Sequence, residues 1–147
     1  EGFIFYTNYE SDKAKAMASN PSVCLLFNWV NSGRIIQIQG RACKISENES
    51  INYFQSRPRG SQLGAWASQQ CRVVDSRTIL EDRLKSYEQQ YENKDIAKPD
   101  HWGGYLVKPF TFQFNEIVDT SFQKEEIYQL ETDYSWSKNI NIKLKTI

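Results

Sequence analysis

The chain is poor in the residues that most enzyme sites are built from. It has one histidine, His101, and three cysteines, Cys24, Cys43 and Cys71. The cysteines are odd in number, widely spaced and outside any C-x-x-C pattern, so zinc ligation and Cys–His or Ser–His–Asp catalysis have no positive support. Single thiols suit a reducing compartment, which points to an intracellular, cytoplasmic protein. Charge of either sign is missing as a surplus: Lys+Arg and Asp+Glu both number 18. A general nucleic-acid binder is normally basic, so no nucleic-acid partner is expected. No apolar run approaches the ~20 residues of a membrane span, so no membrane partner is expected. Neither G-x-G-x-x-G nor a Walker A pattern occurs, which removes the two common nucleotide cradles. The first residue is Glu1 and no charged-then-apolar leader follows, so the front reads as trimmed or processed.

What is present is aromatic and strand-like. Aromatics make up 14% of the 147 residues, a length that suits one domain, 1–147, able to bury a core without staples. Phe3–Tyr6 reads as a strand. Ser11 caps a helix over 12–19, ended by Asn20-Pro21. Val23–Trp29 is a nearly unbroken apolar run, expected to be a strand buried on both faces. Asn31-Ser32-Gly33 is a hairpin turn, and Arg34–Ile45 returns as a strand in which Gly40 suggests a bulge or bend. Ser46-x-x-Glu49 is a capping box opening a helix to about Ser56, closed by Pro58. A short helix through Leu63–Trp66 and a long one capped by Ser76 follow, the latter with Leu80, Leu84, Tyr87 and Tyr91 as its apolar stripe. Tyr105–Val107, Phe110–Val118, Glu126–Glu131 and Trp136–Leu144 read as strands. Hairpin-type links argue for a mostly antiparallel sheet or barrel with helices at its side, mainly β in an α+β arrangement.

Three places could carry chemistry. In Tyr53-Phe54-Gln55-Ser56-Arg57-Pro58-Arg59-Gly60-Ser61-Gln62, two guanidinium groups flank a proline beside hydroxyls, and a helix start offers free amides to an anion. By composition alone a solvated turn is the simpler reading. Tyr6-Thr7-Asn8 with Lys13 presents hydroxyl, amide and ammonium at a strand–helix junction, where an ordinary connection is again simpler. In His101-Trp102-Gly103-Gly104-Tyr105 the histidine has no local carboxylate or nucleophile. It reads as a loop residue packed beside Trp102, with the glycines making a sharp turn.

Taken together, these stretches resemble the pyridoxine/pyridoxamine 5'-phosphate oxidase family. The matching pieces are Gly2–Asn8, Asn20-Pro21, Tyr53–Trp66 with its specific Ser-Arg-Pro-x-x-Ser-Gln-x-Gly-Ala block, and Trp102–Tyr105, in the family's order and spacing. The resemblance covers residues 1 to about 118 as an oxidase-like core, with 119–147 as divergent C-terminal strands. It implies an FMN-binding split β-barrel, a homodimer with FMN at its interface, and oxidation of pyridoxine or pyridoxamine 5'-phosphate to pyridoxal 5'-phosphate with O2 as acceptor. Tyr6, Thr7, Lys13, Gln70 and Cys71 fall at FMN-contact positions, with cysteine where serine is usual. Tyr53, Arg57 and Ser61 fall at positions that hold the substrate phosphate. No catalytic residue is assigned. The family's Arg-x-Val-Leu-Leu-Lys strand lies upstream of the matched part. Asp12 stands where an arginine is usual, Ile35 where a glutamine is, and Asn115 where a tryptophan is. The family's Arg-Leu-His-Asp-Arg tail aligns with Ser121–Glu125. These departures support an alternative, a catalytically degraded paralogue that binds a vitamer or serves as an assembly subunit. A general flavin or haem binder of the wider split-barrel group is a third reading, which no sequence feature specifically favours.

Overall fold

The computed structural model describes residues 1–68, 73–117 and 121–144. Among these residues the elements run β1 (Phe3–Asn8), α1 (Asp12–Ser19), β2 (Ser22–Trp29), β3 (Arg34–Lys44), α2 (Glu47–Ser56), α3 (Arg59–Ala67), α4 (Arg77–Gln90), β4 (Trp102–Ile117), β5 (Phe122–Leu130) and β6 (Trp136–Leu144). The strands form one sheet in the order β2-β3-β4-β5-β6, with β1 paired to β4. The β2/β3, β4/β5 and β5/β6 ladders are antiparallel. This is the mainly antiparallel sheet with helices that the sequence implied. The chain divides into two compact units, one of Ile4–Asn20 and Cys43–Leu106, the other of Glu1–Phe3, Pro21–Ala42 and Val107–Ile147.

The first unit holds the helices, and local chemistry explains their ends. Ser11 is fully buried and its hydroxyl accepts from the Ala14 amide, opening α1. Ser46 and Glu49 form a reciprocal capping box at the start of α2. Ser76 holds the N-cap place of α4, but its side chain makes no capping bond, contrary to expectation. Phe54 (0% exposed), Leu63, Ile96 and Trp102 form the core. Leu84 and Tyr87 of α4 and Tyr91 at its C-cap pack against it, whereas Leu80 stays exposed.

Gly103-Gly104 makes no turn, contrary to expectation. Both glycines lie inside β4. A Cβ at Gly103 would fall 2.1 Å from the Tyr9 hydroxyl, and one at Gly104 2.4 Å from Ile45 Cδ1. Close approach, not turning, is what these positions require.

The second unit is built from strands. The β2/β3 register runs from Ser22↔Arg41 to Trp29↔Arg34 with no residue skipped, so Gly40 marks no bulge in that ladder. A Cβ there would sit 2.6 Å from the Lys108 carbonyl oxygen, again a close backbone approach. Strand β4 runs unbroken through Pro109 where two strands were expected. The expected burial of β2 on both faces also fails: Leu26 is 63% exposed, Trp29 52%, and Phe27 is exposed too. An apolar run records a preference for burial but not which chain supplies the cover.

Charges in this unit are well matched. The buried Glu125 carboxylate accepts from Gln113 Nε2 (2.8 Å) and Asn141 Nδ2 (3.0 Å) and pairs with Lys143 (2.5 Å). Glu126 lies between Lys124 and Lys138, the latter at 2.9 Å. Hydrogen bonds from Lys124 and then Lys138 hold the Glu126 carboxyl down at about 2. Those from Lys143 and then Asn141 lower that of Glu125.

Candidate functional site

A cavity of about 320 Å³ lies in the first unit, lined by Tyr6, Thr7, Asn8, Arg57, Ser61, Gly64, Ala65, Ser68 and Trp102. Three elements build it. The end of β1 brings Tyr6, Thr7 and Asn8. The α2–α3 junction brings Arg57 and Ser61. The first residue of β4 brings Trp102.

The junction is shaped by proline. Arg57 is the C-cap of α2 in an extended conformation, as expected before a proline. Pro58 then takes the N-cap position of α3 and supplies no side-chain cap. No side chain caps the first amides of α3, and a helix start of this kind favours an anion.

The two arginines of this turn have different fates. Arg59 donates from Nη1 to the Lys94 carbonyl (3.0 Å) and from Nη2 to the Tyr91 carbonyl (2.6 Å), tying α3 to the segment after α4. It is a structural staple. Arg57 points into the cavity lining, and its Nη1 is buried without a hydrogen-bond partner among the described residues. A buried guanidinium nitrogen without a hydrogen-bond partner is disfavoured by about 1–3 kcal/mol. An anion seated against the guanidinium would offset that penalty.

Aromatic rings form one wall. Tyr6 stacks on Tyr53 with centroids 3.8 Å apart and on Trp102 at 5.2 Å, all nearly parallel. Burial, then the neighbouring Tyr53 and Glu49, raise the Tyr6 phenol above its usual range, so it is a neutral hydrogen-bonding group at physiological pH. On the next residue, Thr7, the hydroxyl accepts from Lys13 Nζ at 3.3 Å. That contact sets an ammonium beside the strand end. Asn8 accepts from the Glu10 amide at 2.6 Å, a tight turn that launches α1.

The structure thus draws most of the sequence-derived positions together. Tyr6, Thr7, Arg57 and Ser61 line one cavity. Lys13 joins it through Thr7, and Tyr53 stands behind Tyr6. Gln70 and Cys71 lie outside the described residues. Ile35 and Asn115 line a different cavity, in the second unit, with Trp29, Arg34 and Glu126. His101 is no acid–base candidate here: its Nε2 faces the Ala65 carbonyl at 3.1 Å and its ring meets Trp66 edge-on, not Trp102. Gly64, Ala65 and Ser68 were not singled out as lining residues. The only sequence sign of them is the run of small residues on one side of α3.

The residues fit a phosphorylated aromatic group: a free guanidinium donor, hydroxyls, a nearby ammonium and a flat ring wall. The pyridoxamine 5'-phosphate oxidase family profile matches residues 1–91. The chain is 48% identical over 137 residues to a pyridoxine/pyridoxamine 5'-phosphate oxidase of Flavobacterium johnsoniae, covering 93% of this chain and 64% of that protein. It is 42% identical over 136 residues to the enzyme of the same name from a Nostoc species, covering 92% and 64%. The chain therefore spans a little under two thirds of the length of these relatives. Among solved structures, PhzG from Burkholderia lata, in complex with tetrahydrophenazine-1-carboxylic acid, superposes with TM-score 0.85 at 20% identity, over 95% of this chain and 68% of that one. A pyridoxamine 5'-phosphate oxidase-related, FMN-binding protein from Nostoc punctiforme does so with TM-score 0.70 at 16% identity, over 94% and 71%. Those two likenesses show the fold, the split β-barrel expected from the sequence. With the family profile across most of the chain and relatives at this identity, the chain belongs to the pyridoxamine 5'-phosphate oxidase family.

Proposed function

We propose that this chain is the cofactor- and phosphate-binding part of an FMN-dependent oxidase that converts pyridoxamine or pyridoxine 5'-phosphate to pyridoxal 5'-phosphate, with O2 as acceptor. The observation that carries this reading is the buried Arg57 Nη1, unpartnered among the described residues, on the wall of a cavity that also holds Tyr6, Thr7 and Ser61. Arg57 would meet the substrate phosphate with its forked donors, Ser61 would add a hydroxyl, and Tyr53 would bound the ring. Tyr6, Thr7 and Lys13 would hold FMN, joined by Gln70 and Cys71. When bound, FMN supplies the two-electron oxidising capacity, and the side chains supply orientation and charge.

The proposal includes a homodimer. Its support is the exposed apolar set Leu26, Phe27, Trp29, Val30 and Ile35 on β2, β3 and their link. Several large apolar side chains left exposed along one hairpin invite cover by another surface. A cytoplasmic site suits the free thiols Cys24 and Cys43.

The test is spectroscopic and chemical. Natural-length protein incubated with FMN should turn yellow, and pyridoxamine 5'-phosphate should then release peroxide. Arg57→Ala should weaken pyridoxal 5'-phosphate binding by roughly 30-fold or more, because a charge-assisted contact of this kind contributes about 2–5 kcal/mol. Protein that stays colourless in excess FMN would count against the oxidase.

That outcome would favour a second reading, a vitamer-binding or assembly subunit without turnover. Its specific support is Glu125. The resemblance places an FMN-contacting arginine there, and this chain has a buried carboxylate already satisfied by Gln113, Asn141 and Lys143. Calorimetric titration with pyridoxal 5'-phosphate separates the two readings from simple loss of the site.

A further inference from the structure

We infer that Trp102 is the positioning residue for Arg57: its indole face holds the guanidinium without neutralising it, and so sets the preference of the cavity for a phosphorylated over an unphosphorylated ligand. The inference rests on the functional reading above and deepens it.

An arginine aimed at a ligand must be held by something. An ion pair is the usual holder, but a carboxylate cancels the charge that an anionic ligand needs and competes with it. Among the described residues Arg57 forms no ion pair. Its guanidinium carbon instead lies 4.7 Å from the Trp102 ring centroid and 5.8 Å from that of Phe54. An aromatic face attracts a cation through its quadrupole, and tryptophan does so best. The ring carries no net charge, so the guanidinium keeps its full attraction for phosphate.

Trp102 is itself immobilised. It is buried, with Tyr6 stacked on it and Phe54 edge-on at 5.3 Å. Its carbonyl accepts from Lys98 Nζ at 2.7 Å, and its amide donates to the Pro99 carbonyl at 3.0 Å. The Lys98 side chain is only 2% exposed and also pairs with Glu47 at 3.0 Å. The start of β4 is therefore clamped, and the ring cannot swing away with the arginine.

The test uses natural-length protein titrated with pyridoxal 5'-phosphate and with pyridoxal. The ratio of the two affinities is the readout. Trp102→Leu should lower that ratio on the order of tenfold, the loss of a desolvated cation–π contact. Trp102→Phe, which keeps a ring face, should recover most of it. In an Arg57→Ala background, Trp102→Leu should change the ratio no further. Thermal melts of each variant separate loss of fold from loss of preference. Equal weakening toward both ligands, or undiminished effects in the Arg57→Ala background, would overturn the inference and leave Trp102 a packing residue. If the unsubstituted protein shows no preference at all, the vitamer reading fails separately. Inorganic phosphate binding across the same variants then decides: coupled losses at Trp102 and Arg57 uphold the positioning role, and independent ones end it.

Discussion

The two units of this chain are left incomplete in opposite ways. The unit of Ile4–Asn20 and Cys43–Leu106 buries its aromatic side chains around Phe54 and Trp102, yet keeps a buried guanidinium nitrogen without a partner among the described residues. The unit containing β2, β5 and β6 does the reverse. Its carboxylates Glu125 and Glu126 are each met by two or more donors, while Leu26, Trp29, Ile140, Ile142 and Leu144 stand exposed. An unmet donor calls for an anion, and an unmet apolar face calls for another surface. The first is a ligand-sized need and the second a protein-sized one.

Substitutions can break this comparison on either side. The largest effect is expected from Phe54→Ala. It empties the centre of the first core and should lower stability by about 3–5 kcal/mol, read by denaturant unfolding. Gly40→Ala follows. Its added methyl would meet a backbone oxygen, which cannot rotate aside, so a loss of about 1–3 kcal/mol is expected. Gly103→Ala should be milder, because the obstacle is the far end of the Tyr9 side chain. Ser46→Ala, which removes half of the capping box, should lower stability by about 1 kcal/mol.

Two further tests sharpen the contrast. If the exposed Phe27–Trp29 side of β2 is a self-association surface, Phe27→Lys combined with Trp29→Lys should shift the sedimenting species from dimer to monomer while leaving the melt of the monomer unchanged. The acidic cluster predicts a pH dependence confined to the strand-rich unit. The Glu126 carboxyl lies below its ordinary value in the fold, so its stabilising effect is complete above about 4.5 and disappears as pH falls towards about 2. Hydrogen exchange of β5 and β6 should quicken across that window, and Glu126→Gln should flatten the response.

The helices were legible wherever their signals were local. Ser11 and Ser46 act on amides three residues away, so α1 and α2 start where the sequence placed them. Ser76 looked the same in sequence, but its side chain makes no such bond. The strand β6 was read to its ends, while the glycines were misread as turn and bulge. A glycine required by close approach looks, in sequence, like one required by a turn. The difference lies in Tyr9, Ile45 and Lys108, which are far along the chain.

The site shows the same division. Residue types in Tyr53–Gln62 left a solvated turn the simpler reading, and the family resemblance alone put Arg57 and Ser61 forward as phosphate-holding residues. Residue types could not say which arginine was available. Arg59 is taken by the carbonyls of Tyr91 and Lys94, more than thirty residues on, and Arg57 is held by the ring of Trp102, forty-five residues on. The caps at Ser11 and Ser46, the Pro58 junction and the family pattern are decided within a few bonds, so the sequence alone determined them. The availability of a charge, the burial of a strand and the need for a glycine depend on which distant atoms arrive beside them, and only the tertiary structure decided those.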